Sequence, residues 1–191
     1  MAAVATAGGL LFSTPAGAQE DRGCTITGTE GADHLVGTAG ADVICALGGD
    51  DVVYGLAGDD VVYGDAGADV IYGGPGNVTL NGGADSDEIW GKEGNDTIDA
   101  GGPGDTSANT VGGGAGNDVI TGSGGDDKLY TGPGLSDEVY GLAGDDVLTG
   151  YADVGGPTDE AFPEPRYLGS GDGNDRFLLR RWGHRRETRL R

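Results

Sequence analysis

Acidic side chains recur along this chain at a spacing that suits the binding of a divalent cation. From residue 28 to residue 149 an aspartate returns about every nine residues, replaced once by Val78 and once by Asn109. Carboxylates are ligands that Ca²⁺ prefers, whereas Zn²⁺ prefers His and Cys, and Mg²⁺ demands a strict octahedron. The candidate metal ligands are Asp33, Asp42, Asp51, Asp60, Asp69, Asp87, Asp96, Asp118, Asp127, Asp137 and Asp146.

These aspartates occupy position 6 of thirteen nine-residue units that begin at Gly28. Glycine holds position 1 in twelve units and position 4 in ten, and an aliphatic residue holds position 8 in all thirteen. We interpret both glycines as allowing backbone conformations closed to other residues. Positions 7 to 9 favour a short strand that turns position 8 inward. Two insertions, residues 100–103 and Thr131, interrupt the period without changing the pattern.

The pattern G-G-x-G-x-D-x-U-x resembles the RTX, or haemolysin-type, calcium-binding nonapeptide repeat. The resemblance covers residues 28–149. It implies an all-β fold, a right-handed parallel β-roll (a β-solenoid) in which each unit forms a turn followed by a short strand. Two units then complete one coil, and Ca²⁺ is the implied cofactor between successive turns.

Stacked coils explain why such a fold needs a cation. Position 6 carboxylates of units n and n+2 would lie about 4.8 Å apart, the spacing between strands, and would repel each other. One inward aliphatic side chain per unit is also a thin core. We expect the insertions to bulge outward, Val78 to leave a gap and Asn109 a weakened site. About seven good sites then remain, at the pairs 33/51, 51/69, 69/87, 127/146, 42/60, 96/118 and 118/137.

Other aspartates fall at position 5 of their units and are interpreted differently. We expect them to be solvated turn acids, because a tight turn accommodates Asp, Asn or Ser at this point without any ligand. They are Asp50, Asp59, Asp126 and Asp145.

Charge and motif content exclude other function classes. The 191 residues hold 32 acidic and 11 Lys or Arg side chains, a net charge of −21, so nucleic acid is excluded as a partner. No run of about 18 apolar residues is present, which excludes a transmembrane helix. The sequence contains no H-E-x-x-H, G-x-S-x-G or P-loop motif, and we expect no enzymatic activity.

The ends of the chain differ from the repeats. Residues 1–18 carry no charge and end in A-x-A, which indicates a signal peptide and an extracellular, secreted protein. Cys24 and Cys45 are interpreted as a disulfide, with two free thiols or a weak metal site as alternatives. We assign residues 19–27 to an N-terminal cap, 28–149 to the roll, 150–168 to a linker or end cap, 169–178 to a partial repeat and 179–191 to a basic tail.

An aromatic strip is the remaining candidate site. Tyr54, Tyr72 and Trp90 hold position 9 in every second unit, so the fold would stack them on the outside of the roll. Such a ladder supports a sheet face, or it binds a glycan or protein partner. An extracellular carbohydrate-binding or adhesive module is therefore one alternative function, and a remnant of an RTX enzyme or toxin is another.

Overall fold

A computed structural model describes residues 22–133, 136–152, 167–181 and 184–185. Within these residues the regular secondary structure consists of seventeen β-strands, without a helix. The predicted signal peptide, most of the predicted linker and the end of the basic tail lie outside the described residues.

The strands form two sheets, each made of every second strand. The first sheet has eight strands in the order β1 (Ile26–Thr27), β3 (Val43–Cys45), β5 (Val61–Ala66), β7 (Thr79–Ala84), β9 (Thr97–Gly102), β11 (Val119–Ser123), β13 (Glu138–Tyr140) and β15 (Tyr167–Gly169). The second has nine, from one edge to the other β2 (His34–Val36), β4 (Val52–Tyr54), β6 (Val70–Pro75), β8 (Glu88–Glu93), β10 (Thr110–Ala115), β12 (Lys128–Tyr130), β14 (Val147–Ala152), β16 (Arg176–Arg181) and β17 (His184–Arg185). The chain therefore winds from one sheet to the other as a β-solenoid, and the predicted fold class is confirmed.

The pairing register keeps the nine-residue units aligned. Ile44 at position 8 pairs with Val62, the position 8 residue two units further along the chain. Across the first insertion Ile89 pairs with Val111, and across the second Ile120 pairs with Val139. Position 8 therefore faces position 8 throughout the repeats, including the two places where the period is interrupted.

The first residue of each insertion does not bulge outward, contrary to our expectation. Residues 100–102 continue strand β9, Ala100 is fully buried, and Thr131 is 2% exposed. Their carbonyl oxygens lie beside Gly82 and Gly113 of the coil before, where other units place position 1. Ala100 and Thr131 therefore continue the regular winding, because strand pairing holds them in place. In the first insertion the exposed residue is Pro103.

Position 8 forms the core between the two sheets. Twelve of its thirteen aliphatic residues are at most 1% exposed, and Leu35 in the first unit is partly buried. Strand alternation places positions 7 and 9 on the outer surface, where most of them are half-buried or exposed. The core is thus a single row of aliphatic side chains from each sheet.

The solenoid extends beyond the thirteen units at both ends. Before Gly28, β1 pairs with β3, and Cys24 forms a disulfide with Cys45 across a Cα–Cα distance of 5.9 Å. After the units, β15 pairs with β13, and Phe177 in the predicted partial repeat pairs with Leu148. The chain then reverses, because β17 pairs antiparallel with β16.

Candidate metal centres in the turns

The position 6 aspartates lie inside the turns, between successive coils. Ten of the eleven are at most 7% exposed, and Asp33 in the first unit is half-buried. Each follows a turn and directly precedes a strand, so the strand pairing fixes its backbone. A buried acidic group requires a partner for each of its oxygens.

In nine of the eleven aspartates, one carboxylate oxygen accepts a hydrogen bond from the backbone of the neighbouring coil. Its Oδ1 accepts the N–H of the position 6 residue two units earlier, as in the bond from Asp51 N–H to Asp69 Oδ1 at 2.9 Å. Equivalent bonds of 2.7–3.1 Å recur along the solenoid, for example from Asp33 and from Val78. Only Asp33 and Asp42, in the first coil, have no such bond among the described residues. The aspartates therefore join neighbouring coils before any cation is considered.

The other oxygen lacks a hydrogen-bond partner in seven of these aspartates. A buried carboxylate oxygen without a partner is costly unless a proton or a cation satisfies it. These seven turns are therefore the strongest candidate metal centres. The unpartnered Oδ2 atoms belong to Asp51, Asp60, Asp69, Asp87, Asp96, Asp118 and Asp146.

Hydroxyl residues at position 2 satisfy the carboxylate in other turns. Thr29 donates its N–H and its hydroxyl to Asp33 Oδ2, at 2.6 and 2.8 Å. Thr38 does the same for Asp42. The first coil therefore carries two aspartates whose Oδ2 atoms already have donors from the protein.

Two later turns are satisfied in a similar way. Ser123 donates its N–H and its hydroxyl to Asp127 Oδ2, and the side chain of Thr131 is hydrogen-bonded to Asp137. The repeat pattern treats all eleven aspartates alike, but the structure gives four of them a hydroxyl partner.

Backbone conformation at position 2 separates the seven turns with an unpartnered Oδ2 from three of the four partnered turns, those of Asp33, Asp42 and Asp127. In turns with an unpartnered Oδ2, position 2 is left-handed even where it is not glycine, as at Leu56 (φ 76°) and Lys92 (φ 91°). Thr29, Thr38 and Ser123 are outside this conformation and direct their N–H groups at the carboxylate. A left-handed residue other than glycine costs about 1–2 kcal/mol, so the surrounding turn must stabilise it.

The prediction that position 1 glycine supplies an unusual φ is wrong for all of these glycines except Gly132, since the other left-handed residues of the units stand at positions 2 and 4. In most units position 1 requires glycine because a carboxylate oxygen and a carbonyl oxygen approach it. A Cβ added at Gly55 would lie 2.5 Å from the carbonyl oxygen of Gly73 and 2.7 Å from Asp60 Oδ2. The absent side chain leaves a space, here called the glycine cradle, where the carboxylate of the unit and a carbonyl of the next coil converge.

The donors in these turns fit a hard cation. Among the described residues, no three His, Cys, Asp or Glu side chains form a metal-binding group. The ligands within reach are the unpartnered carboxylate oxygens and the backbone carbonyls beside the glycines. Oxygen ligands of irregular geometry suit Ca²⁺ better than Zn²⁺ or Mg²⁺.

Two units depart from the pattern in the way the sequence indicates. Val78 is buried and brings apolar Cγ atoms toward Gly73, where other units place a carboxylate oxygen. Asn109 uses its Oδ1 to accept a backbone N–H, and its Nδ2 donates to Ser107 O and Ser123 Oγ. Neither side chain offers an unpartnered anionic oxygen.

The position 5 aspartates are exposed, as expected of solvated turn acids, and they also form a second ladder of hydrogen bonds between coils. Asp59 Oδ1 accepts the N–H of Asn77 at 2.8 Å, and Asn77 Oδ1 accepts that of Asn95. The recurrence of Asp and Asn at position 5 is the sequence signal that could have revealed this ladder. The same bond to the next coil is formed by Asp50, Asp126 and Asp145.

The structure forms part of the predicted aromatic strip: Tyr54 stacks on Tyr72, and Lys92 lies between Tyr72 and Trp90. The Tyr54 and Tyr72 rings stack with centroids 5.2 Å apart. Lys92 Nζ lies 4.9 Å from the centroid of the Tyr72 ring and 5.4 Å from that of the Trp90 ring. Trp90 stacks with Tyr130 at 6.3 Å. These contacts support the outer face of the sheet, and binding of a glycan or protein there stays a prediction.

Burial perturbs the acidity of the unpartnered carboxylates. It raises the pKa of Asp87 to about 8, that of Asp118 to about 7 and that of Asp69 to about 6. Desolvation of the charged form is the largest cause, and the accepted backbone N–H bond opposes it. At neutral pH the protein alone therefore solvates these charges poorly.

The raised pKa values predict how the calcium-free protein responds to pH. A folded-state pKa above the ordinary 3.8 means that the fold favours the protonated acid. The resulting stabilisation is complete below pH 3.8 and is lost as the pH rises through about 6 to 8.

We therefore expect calcium-free protein to gain β-structure and thermal stability when the pH is lowered from 8.5 to 5. Circular dichroism with thermal unfolding in calcium-free buffer measures both quantities. The lower pH stays above the isoelectric point of about 4.1, where solubility would fall. Stability that increases with pH in calcium-free buffer would contradict the raised pKa values.

Comparison with known families matches the turns and strands described above. The RTX calcium-binding nonapeptide repeat (4 copies) matches the chain at residues 27–62, 46–80, 79–102, 103–135 and 134–154. These segments span about two thirds of the chain. A search of the curated proteins finds no match. Among the described residues, no helix is long and apolar enough to cross a membrane.

Proposed function

The chain belongs to the RTX calcium-binding nonapeptide repeat family, and from this premise we propose that it is a secreted protein in which Ca²⁺ bridges successive turns and drives folding. One observation carries the proposal: seven position 6 aspartates hold a buried Oδ2 atom that no donor reaches. A carbonyl of the next coil faces the same space beside position 1. Carboxylate and carbonyl oxygens together form the ligand class of Ca²⁺.

The two oxygens of each of these position 6 carboxylates have different roles. Oδ1 accepts a backbone N–H from the neighbouring coil and fixes the orientation of the carboxylate. Oδ2 then projects toward the glycine cradle, where the left-handed residue at position 2 keeps backbone N–H groups away from it. A bound Ca²⁺ would supply the positive charge that desolvated carboxylates lack. Binding and folding are thereby coupled, because the cradle exists only when two turns are stacked.

Two further features support an extracellular role. Cys24 and Cys45 form a disulfide, which is typical of oxidising compartments, and the uncharged residues 1–18 end in A-x-A. We propose no catalytic activity, because the sequence contains none of the motifs of common hydrolases and nucleotide-binding enzymes. The protein would act as a calcium-responsive structural or interaction module.

Calcium titration of chelated protein, by calorimetry and equilibrium dialysis, tests the proposed function. We expect about seven ions per chain, one for each unpartnered carboxylate at position 6. Asp69→Asn removes one such oxygen and should lower the number by one or weaken one site about tenfold. Asp42→Asn is the matched control, since Thr38 already satisfies Asp42 Oδ2. It should affect stability and leave the number of ions unchanged.

Two outcomes would contradict the proposal. Chelated protein could take up no calcium, or it could take up magnesium equally well at the same concentration. Equal losses of bound calcium in Asp69→Asn and Asp42→Asn would instead reject the division between the two kinds of turn.

A further inference from the structure

The turn between β9 and β10 is lengthened by the first insertion and contains an acidic residue that does not stand at position 6. Asp105 lies in this turn, and its Oδ1 accepts Ser107 N–H at 3.0 Å. Its Oδ2 is buried and has no hydrogen-bond partner, like that of the seven position 6 aspartates. A Cβ added at Gly101 would lie 2.8 Å from this oxygen and 2.5 Å from Gly83 O. Asp105 therefore faces a glycine cradle like those of the repeat carboxylates, except that the carbonyl belongs to the coil before and not to the next one.

This cradle adjoins that of Asp87. Asp87 is 3% exposed, its Oδ2 is unpartnered, and the oxygen lies beside Gly82. A Cβ added at Gly82 would lie 2.5 Å from Ala100 O. The two cradles lie between the same two coils, at consecutive residues of each strand: Gly82 and Gly83 on one, Ala100 and Gly101 on the other. Asp105 is also close enough to Asp87 for the two charges to repel each other.

The repeat itself cannot supply the second carboxylate here. Position 6 of the next turn on this edge is Asn109, which accepts Asp87 N–H on Oδ1 at 2.8 Å. Its other polar group, Nδ2, donates to Ser107 O and Ser123 Oγ. An amide N–H donor does not ligate a cation. Asp87 thus lacks the acidic partner that regular turns share, and the lengthened turn places Asp105 in its neighbourhood.

We propose that Asp105 is a calcium ligand contributed by the lengthened turn, which completes the Asp87 site in place of the carboxylate missing at Asn109. The site would comprise Asp87 Oδ2, Asp105 Oδ2 and the carbonyls of Gly83 and Ala100. This inference rests on the proposed function, since it assigns one ligand of one of the proposed calcium sites. The proposal also assigns a role to the insertion. The extra residues lengthen the turn that contains Asp105, and position 6 of this turn is the neutral residue Asn109.

The test compares Asp105→Asn with Asp85→Asn in the full chain by calcium titration after chelation. Asp85 also lies near Asp87 and adds to its negative surroundings, but it is exposed and has no buried unpartnered oxygen. Asp85 has a φ of 77°, a conformation that Asn tolerates. We expect Asp105→Asn to bind one calcium ion fewer, or to weaken one site about tenfold or more. Asp85→Asn should retain the wild-type number and affinities.

A rescue variant keeps the test decisive if Asp105→Asn folds poorly. The double variant Asp105→Asn with Asn109→Asp returns a carboxylate to the turn, and should regain the wild-type number of ions and the wild-type circular dichroism spectrum. The proposal is overturned if Asp105→Asn binds calcium as the wild type does, if Asp85→Asn loses as much, or if the double variant remains one ion short or unfolded. Wild-type protein that binds no calcium would reject the proposed function itself, a result distinct from all three.

Discussion

Removal of calcium at pH 8 is expected to unfold most of the solenoid and to leave a largely disordered chain. Without the ion, seven position 6 carboxylates would each keep a buried oxygen that has neither a donor nor a cation beside it. The core cannot offset this cost, because it consists of one aliphatic side chain per strand. Far-UV circular dichroism in excess EDTA measures the loss of structure, and gel filtration measures the accompanying expansion.

Addition of millimolar calcium to the same sample should restore the β-sheet spectrum and the compact elution volume. Magnesium at equal concentration is the control, and it should restore little structure because it binds with strict octahedral geometry. The Cys24–Cys45 disulfide is retained throughout, so any change reports on the ion and not on oxidation. A compact, heat-resistant protein in EDTA would refute the coupling of calcium to folding.

Substitution of a single position 1 glycine should destabilise the calcium-bound protein without unfolding it. The methyl group of Gly55→Ala would meet Gly73 O at 2.5 Å and Asp60 Oδ2 at 2.7 Å, both well inside van der Waals contact. Overpacking of this kind costs about 1–3 kcal/mol. The displaced Asp60 carboxylate would also lose its place beside the carbonyl of the next coil. We expect a lower unfolding temperature in calcium and one calcium ion fewer per chain.

Gly31→Ala is the matched control for this substitution. Gly31 lies at position 4 of the first unit, is exposed, is not left-handed, and has no atom within 4 Å of an added Cβ. Its replacement should leave the unfolding temperature and the number of calcium ions nearly unchanged. Equal tolerance of both substitutions would show that the glycine cradle is not needed for binding.

The fold could be predicted from the sequence because its signal is repeated thirteen times. Position 8 is aliphatic in every unit, and period-2 alternation around it sets which face is buried. The strand register across both insertions could be predicted from the aliphatic residues at position 8. A shift by one residue would have turned Ile120 or Val111 to the exposed face of its strand. Both are fully buried in the structure.

The division among the sites could not be predicted from position 6 alone. It depends on position 2, where Thr38 donates two hydrogen bonds to Asp42, and Leu56 adopts a left-handed conformation that leaves Asp60 without a donor. Leucine has no intrinsic preference for that conformation, so only the stacked turn imposes it. A threonine or serine four residues before the aspartate is the sequence signal for three of the four partnered turns, and Asp137 is instead partnered by Thr131, six residues before it.

Asp105 was missed for a different reason. It does not stand at position 6, and its approach to the cradle of Asp87 depends on the path of an irregular turn. Local sequence carries little information about such a path, because no period or turn signature fixes it. The same limit applies to the position 1 glycines, whose role depends on a carbonyl from the next coil.

The antiparallel pairing of β17 with β16 bears on how molecules of this protein would meet one another. The terminal strand of a parallel solenoid has unpaired backbone N–H and C=O groups. A second molecule could form hydrogen bonds to these groups and extend the sheet, and repetition of this contact would build a fibre. Among the described residues, the last strand of the nine-stranded sheet runs antiparallel to its neighbour. A second molecule that continued the winding in parallel would meet reversed strand polarity at this edge, so we expect the hairpin to disfavour head-to-tail polymerisation through this sheet.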